Sequence, residues 1–186
     1  MDSQVLLVLV IAAVVILGGV AAWAYLGRQR TARLQRRFGP EYDHTVGTAK
    51  TAAEAEARLL ERANRVERFK LKPLTAEQAE AFAEKWRRLQ ARFVDDPDDA
   101  VGEADLLVTQ VMTARGYPPE EFDRRAEDVS VDHPNVVANY RIARTLLERR
   151  RRGEAGTEEL RQAVINYRSL FDELLETRAS GQRRAS

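Results

Sequence analysis

The side chains able to do chemistry in this sequence are mostly acids and arginines. There are 29 Asp and Glu residues, 30 Lys and Arg, 2 His and no Cys. Without a thiol there is no disulfide, no thiolate nucleophile and no thiolate metal site. His44 and His133 stand in separate regions, and neither belongs to a His-x-x-x-His or Glu-x-x-His pair. A zinc site needs three or four such ligands, and a ferritin-like di-iron centre needs Glu-x-x-His on two helices. His133 precedes Pro134 and reads as a helix cap rather than a base. Ser3, Ser130, Ser169, Ser180 and Ser186 lie in no nucleophile-elbow context, and no GxxxxGK or GxGxxG phosphate cradle occurs.

Two dense charge groups carry alternative readings. Asp95-Asp96-Pro97-Asp98-Asp99 resembles a metal loop, but it lacks the glycine and distal glutamate of a calcium loop. It reads instead as a helix start, with Asp96 capping, Pro97 in the first helical position, and Asp98 and Asp99 at the positive end of the helix dipole. Arg149, Arg150, Arg151 and Arg152 form a basic run before Gly153. It is either an anion patch or a basic last turn that offsets the helix dipole and closes on a glycine. The acidic surroundings favour the second reading. The carboxylates fall on the polar faces of helices and do not converge. The sequence therefore predicts no catalytic residue, no metal site, no cofactor and no enzyme. Its balanced charge argues against a nucleic-acid binder, which is normally clearly basic.

The elements that must carry these residues begin with Val5–Leu26, VLLVLVIAAVVILGGVAAWAYL, which contains no charge. At about 1.5 Å per residue such a run crosses a hydrocarbon core of about 30 Å. Only Asp2 is charged before it, so the basic n-region of a signal peptide is missing. Trp23 and Tyr25 suit the interfacial aromatic belt, and Arg28, Arg30, Arg33, Arg36 and Arg37 crowd the end that follows. The positive-inside rule then predicts a single-pass cell-membrane protein with its N-terminus outside and its large domain cytoplasmic. Gly18 and Ala22 form a small-xxx-small pair through which two anchors could touch.

Beyond the run, Leu34 and Phe38 share a helical face, and the arginines can reach lipid headgroups. Gly39-Pro40 breaks the helix. Glu41 to Lys72 reads as one long helix with Gly47 as a flaw. Its thin stripe is Ala52, Ala55, Leu59, Ala63 and Val66. The 52–66 stripe suits packing on the domain, a coiled coil with a second copy, or contact with lipid.

Four stronger signals follow. Thr75 and Gln78 form a capping box before a helix bearing Phe82, Trp86, Leu89 and Phe93 on one face. Asp96 opens a helix that buries Val101, Ala104, Leu107, Val108, Val111 and Met112 and stops at Gly116. A short helix over 119–128 and a link over 129–132 precede a helix led by Pro134, capped by Asp132 or His133, burying Val136, Val137, Tyr140, Ala143 and Leu147. Thr157 caps the last helix, with Leu160, Val164, Tyr167, Phe171 and Leu174 on its apolar face. The predicted fold is all-α: an N-terminal transmembrane helix followed by a soluble antiparallel helical bundle. Its divisions are 1–27 anchor, 28–72 basic juxtamembrane connector, 73–178 bundle and 179–186 disordered tail.

Charge is segregated along this plan. Residues 28–72 carry 12 basic and 6 acidic side chains, while 73–178 carry 16 basic and 22 acidic. An anionic lipid surface attracts the first group by about 1 kcal/mol per residue and repels the second.

The segments RRFGPEYDHTV (36–46), RFVDDPDDAVGEADLLVTQVMTARGYP (92–118), VSVDHPNVVANYRIA (129–143) and TEELRQAVINYRSLFDELL (157–175) resemble a family of small bacterial single-pass, or so-called secreted, hypothetical proteins. The resemblance implies a bacterial origin and one shared domain architecture, and it carries no activity. The function expected is a membrane-anchored, non-enzymatic interaction or scaffold module. Its partners would be the lipid bilayer and an unidentified protein, with Tyr117, Tyr140 and Arg149–Arg152 as its surface. A second copy could join through Gly18/Ala22 or the 52–66 stripe. The alternatives are a lipid-surface-sensing or stress-associated membrane protein and a carboxylate-dependent enzyme.

Overall fold

A computed structural model describes the backbone of residues 3–183 and the side chains of residues 12, 16–19 and 21–176. Among the described residues the chain is helical throughout, without a strand. The helices are α1 (Ser3–Phe38), α2 (Pro40–Thr48), α3 (Ala52–Glu67), α4 (Ala76–Arg92), α5 (Pro97–Arg115), α6 (Phe122–Asp132), α7 (Val137–Arg151) and α8 (Thr157–Arg183). Among the described residues, no helix is long and apolar enough to cross a membrane. Half of the Val5–Leu26 run expected to do so, positions 5–11, 13–15 and 20, has side chains that lie outside the description. The expected tail, 179–186, begins within α8.

Two apolar clusters organise the helices. The larger belongs to α4, α5, α7 and α8, and cross-helix pairs fix their directions. Arg92 reaches Glu103 and Lys85 reaches Gln110, so α4 and α5 are antiparallel. Arg149 meets Glu159 and Asn139 meets Ser169, so α7 and α8 are antiparallel as well. The centre is Trp86 stacked on Phe171 at 4.5 Å, beside the fully buried Tyr140 and Tyr167. Such stacks add about 0.5–1.5 kcal/mol to the burial of their area.

The local signals predicted for this bundle are realised. Thr75 and Gln78 close a reciprocal capping box on α4. Asp96 accepts the backbone N–H of Asp99 at the start of α5, which is how the acidic run is used. Gly116 ends α5 at φ +99, and a Cβ there would lie 2.8 Å from the Lys70 carbonyl oxygen. Lys72 N–H donates to the Arg115 carbonyl alongside, so the connector from α3 lies flat against this glycine.

The smaller cluster is Leu34 and Phe38 of α1, Tyr42 of α2, Leu59, Ala63 and Val66 of α3, and Val131 of α6. Phe69 and Leu71 pack against both clusters. Leu34 and Phe38 are therefore core residues, with Phe38 wholly buried. The arginines beside them point outward, but that stretch of α1 is docked in the domain. The 52–66 stripe is settled in the same way. Ala55, Leu59, Ala63 and Val66 are buried inside this chain, which removes the stripe as a coiled-coil seam for a second copy, and Ala52 is exposed.

Several boundaries differ from expectation. The long helix predicted over 41–72 is two helices. Ala49 turns extended (ψ 158), and the Thr51 hydroxyl accepts the Glu54 N–H to restart the chain, a side-chain cap that competes with helical continuation. The predicted link 129–132 is helical and belongs to α6, because Val129, Ser130 and Val131 face inward. His133 does not cap the helix that follows; it ends α6 and is buried, and α7 starts at Val137 without a side-chain cap. Thr157 is the first residue of α8, while Gly156 N–H donates to Glu159. The division at 72/73 is also crossed, since Val131 completes the smaller cluster.

Candidate functional site

The densest convergence of charge lies where the two clusters meet. Gly39, at φ +46, lets the chain reverse after α1, and Pro40 starts α2 with its ring in the first helical position. This places Glu41 in the first turn of α2, where it is 2% exposed. Arg141 of α7 donates to both of its carboxylate oxygens, at 2.6 and 2.9 Å. Arg62 of α3 donates to Glu41 Oε1 at 2.8 Å and, with its other nitrogen, to Glu127 of α6 at 3.1 Å. Arg65 continues the seam to Asp128 at 2.7 Å and to Glu127 at 3.2 Å. Burial pushes the Asp128 carboxyl above its ordinary range, and the Arg65 hydrogen bond and charge oppose the shift.

The seam joins α2, α3, α6 and α7, and it holds the smaller cluster to the bundle. Its carboxylates are all engaged by guanidinium groups, so none is poised as a free acid or base. Beside it, Pro40, His44, Pro134, Val137, Arg141 and Ile142 line an open groove of about 240 Å³. Among the described residues no group of three or more His, Asp or Glu is arranged to hold a metal ion.

A second buried polar group sits inside the bundle. Asp105 accepts from Arg144 at 3.1 Å, and among the described residues its other oxygen closes no full hydrogen bond. The Tyr140 and Tyr167 hydroxyls, buried nearby, also close no full hydrogen bond. Burial first, and then the proximity of Asp105, raises the Tyr167 pKa. A third group gathers at the end of α5. There Tyr117 donates to Asp132 at 3.4 Å, and His133 Nδ1 lies 3.3 Å from Glu173. Burial lowers the His133 pKa, and the Glu173 contact opposes it.

The predicted surface residues separate into two sets. Arg28, Arg30, Arg33, Arg36 and Arg37 all lie exposed along the end of α1. Among the described residues none of them makes an ion pair; Arg36 donates to the Ala32 carbonyl, and Arg37 lies over the Phe38 ring. The other set is not a surface. Tyr117 and Tyr140 are 3% and 0% exposed, which removes both from any docking face. Tyr117 packs edge-on against Phe69, and Tyr140 packs against Phe122 and Tyr167. Arg149 is held by Glu159 and the Glu154 carbonyl, Arg150 by Asp98 and Asp99, and Arg152 by Glu154. Arg151 is exposed. Three of the four arginines thus pair with acids of this chain.

Sequence reasoning missed Glu41, Arg62 and Arg141. The available signal was an acid straight after a Gly-Pro break, but its partners are far away in the chain.

The fold and charge layout define an all-helical bundle carried on the end of a long helix. No family model, curated protein or solved structure matches the chain.

Proposed function

We propose that the protein is a membrane-anchored, non-enzymatic helical module that presents its bundle to a protein partner at a fixed position on the cytoplasmic face of the cell membrane. The observation that carries this reading is the continuity of α1. One helix runs unbroken from Ser3 to Phe38, and its last turns are embedded in the domain core through Leu34 and Phe38. An uncharged run of membrane-spanning length therefore joins the domain without a flexible linker. The orientation follows from the five exposed arginines at the domain end of the run. Gly18 and Ala22, both exposed on α1, are where two anchors would meet.

A C-terminal reporter active only in the cytoplasm tests topology, combined with extraction of membranes at high salt and high pH. Retention in the membrane with a cytoplasmic reporter is expected. Release into the wash, or a reporter active only outside, overturns the reading. Purification in detergent tests the module itself: a reproducible protein partner or a defined oligomer is expected, and a monomer without a partner counts against it.

A second reading, lipid-surface sensing, is favoured by the unpaired state of Arg28, Arg30, Arg33, Arg36 and Arg37. Ion-paired arginines would have little charge to offer lipid, whereas these five are free to contribute about 1 kcal/mol each. Binding to vesicles that ignores anionic lipid content and salt rejects it.

A further inference from the structure

We propose that the turn 48–53, between α2 and α3 with Lys50 at its tip, is a second membrane contact that rests on anionic phospholipid headgroups. The proposal builds on the reading of Val5–Leu26 as a membrane span, and its first support is helical register. Thr31 of α1 donates to Glu56 of α3 at 2.6 Å, which places these residues side by side. Further along, Phe38 ends α1 beside Leu59 and Ala63, and Glu41 meets Arg62, so α3 runs parallel to α1. Moving back five residues on each helix leads from Thr31 to Leu26 and from Glu56 to Thr51. At about 1.5 Å per residue both steps are about 7.5 Å, so the start of α3 stands level with the end of the apolar run.

The path of α2 agrees. After the turn at Gly39, this helix of 9 residues is about 13 Å long, enough to bring the chain back toward that level before the turn at Lys50. The fold thus carries the chain away from the membrane on α1, returns it on α2, and turns it at headgroup level.

The composition of the turn suits that position. Thr48, Lys50, Thr51, Ala52 and Ala53 are exposed, and 47–53 contains no acidic side chain. The two nearest acids on α3 are both engaged within the chain. Glu54 accepts from Arg58 and from the Lys50 backbone N–H, and Glu56 accepts from Thr31 and Tyr42. Among the described residues the Lys50 ammonium has no carboxylate partner. On the same register it lies within about 8 Å in height of Arg28 and Arg30, so a negative headgroup layer would meet cations from two helices. Small residues beside them let the backbone approach closely. With one contact at the span and a second at this turn, the domain would be held in tilt and rotation as well as in height.

The absence of cysteine allows a single reporter to be placed anywhere in the full chain. The variants are Ile16→Cys, Thr51→Cys and Asn135→Cys, each fluorescently labelled and reconstituted into vesicles. The vesicles are either pure phosphatidylcholine or a phosphatidylcholine–phosphatidylglycerol mixture, with quenchers carried on the acyl chain or on the headgroup. Asn135 is the far reference: its side chain lies beside Gly39, about 20 Å along α1 from Leu26. The expected result is acyl-chain quenching at residue 16, headgroup quenching at residue 51, and neither at 135. The signal at 51 should be stronger in the anionic vesicles. Adding Lys50→Glu to Thr51→Cys should weaken that anionic-lipid dependence by about fivefold or more, the scale of one basic charge at such a surface. Quenching at 16 with residue 51 as dark as 135 leaves the span standing and overturns the second contact. Equal headgroup quenching at 51 in both vesicle types overturns the anionic preference. No acyl-chain quenching at 16 overturns the span and the proposal together.

Discussion

Arg141 holds both carboxylate oxygens of Glu41, at 2.6 and 2.9 Å, across one hundred residues of chain. This pair is the direct tie between α2 and the four-helix bundle. Arg62 donates a further hydrogen bond to the same carboxylate and, through Glu127, passes the seam on to α6.

Removing the shared acid should be far more damaging than its size suggests. Glu41→Ala leaves Arg141 without its acid and Arg62 with Glu127 alone, and breaking a buried pair in this way costs about 3–5 kcal/mol. Denaturant unfolding of the detergent-solubilised protein should show a loss of that order. Glu41→Gln, which keeps the shape and one acceptor, should lose less. A loss within about 0.5 kcal/mol for Glu41→Ala, the scale of an exposed substitution, would show that the seam adds nothing.

Phe38 tests whether the end of α1 is docked. Its ring is wholly buried among Leu34, Tyr42, Leu59 and Val131. Phe38→Ala should cost about 3–5 kcal/mol. Amide exchange should speed up first in α2 and in α3, while α5 and α8 stay protected. Uniform acceleration across all helices would mean that the two clusters unfold as one unit.

Gly116 is fixed by backbone geometry. At φ +99, with the Lys70 carbonyl 2.8 Å from where a Cβ would be, alanine meets both torsional strain and a clash with backbone. Gly116→Ala should cost at least about 1–3 kcal/mol from the torsion alone. Gly102, which lies within α5 and has open space around it, is the control. Gly102→Ala should be neutral or slightly stabilising, because glycine weakens a helix interior by about 1 kcal/mol. Thermal melting of the two variants makes the comparison.

His133 should make stability depend on pH. Its pKa is lowered from 6.5, chiefly by burial and against the pull of Glu173. The unfolded chain therefore binds the proton more readily than the folded one. The contribution is fully present above pH 6.5 and is lost as pH falls through the lower, folded value. The melting temperature should drop on acidification below pH 6.5. His133→Gln should flatten that part of the profile.

Much of the bundle was legible in the chain because its signals are local. The Thr75–Gln78 box, the Asp96 cap with Pro97, the αL glycine at 116 and the i, i+3/i+4 spacing of Leu160, Val164, Tyr167, Phe171 and Leu174 each act within a few residues. Local preference and final fold agree at these places. Spacing misled where apolar residues admitted several partners. The 52–66 stripe fitted a neighbour, a second copy or lipid, and only the approach of α1 and α6 selected the first. Residues 129–132 read as a link because two apolar residues in four carry too little periodicity, and burial against α3 made them helical. Tyr117 and Tyr140 looked available because a tyrosine carries a polar tip, and the packing of Phe69 and Phe122 enclosed them.

The sequence by itself determined the helical class, the caps, the uncharged run Val5–Leu26 and the basic stretch that follows it. Each depends on residue type and short-range spacing. Tertiary structure decided that α1 ends inside the core and that Glu41 finds Arg62 and Arg141. Those relations depend on how rigid helices settle against one another. A carboxylate can pair with any of thirty basic residues, and its partners are fixed only once packing has fixed the distances.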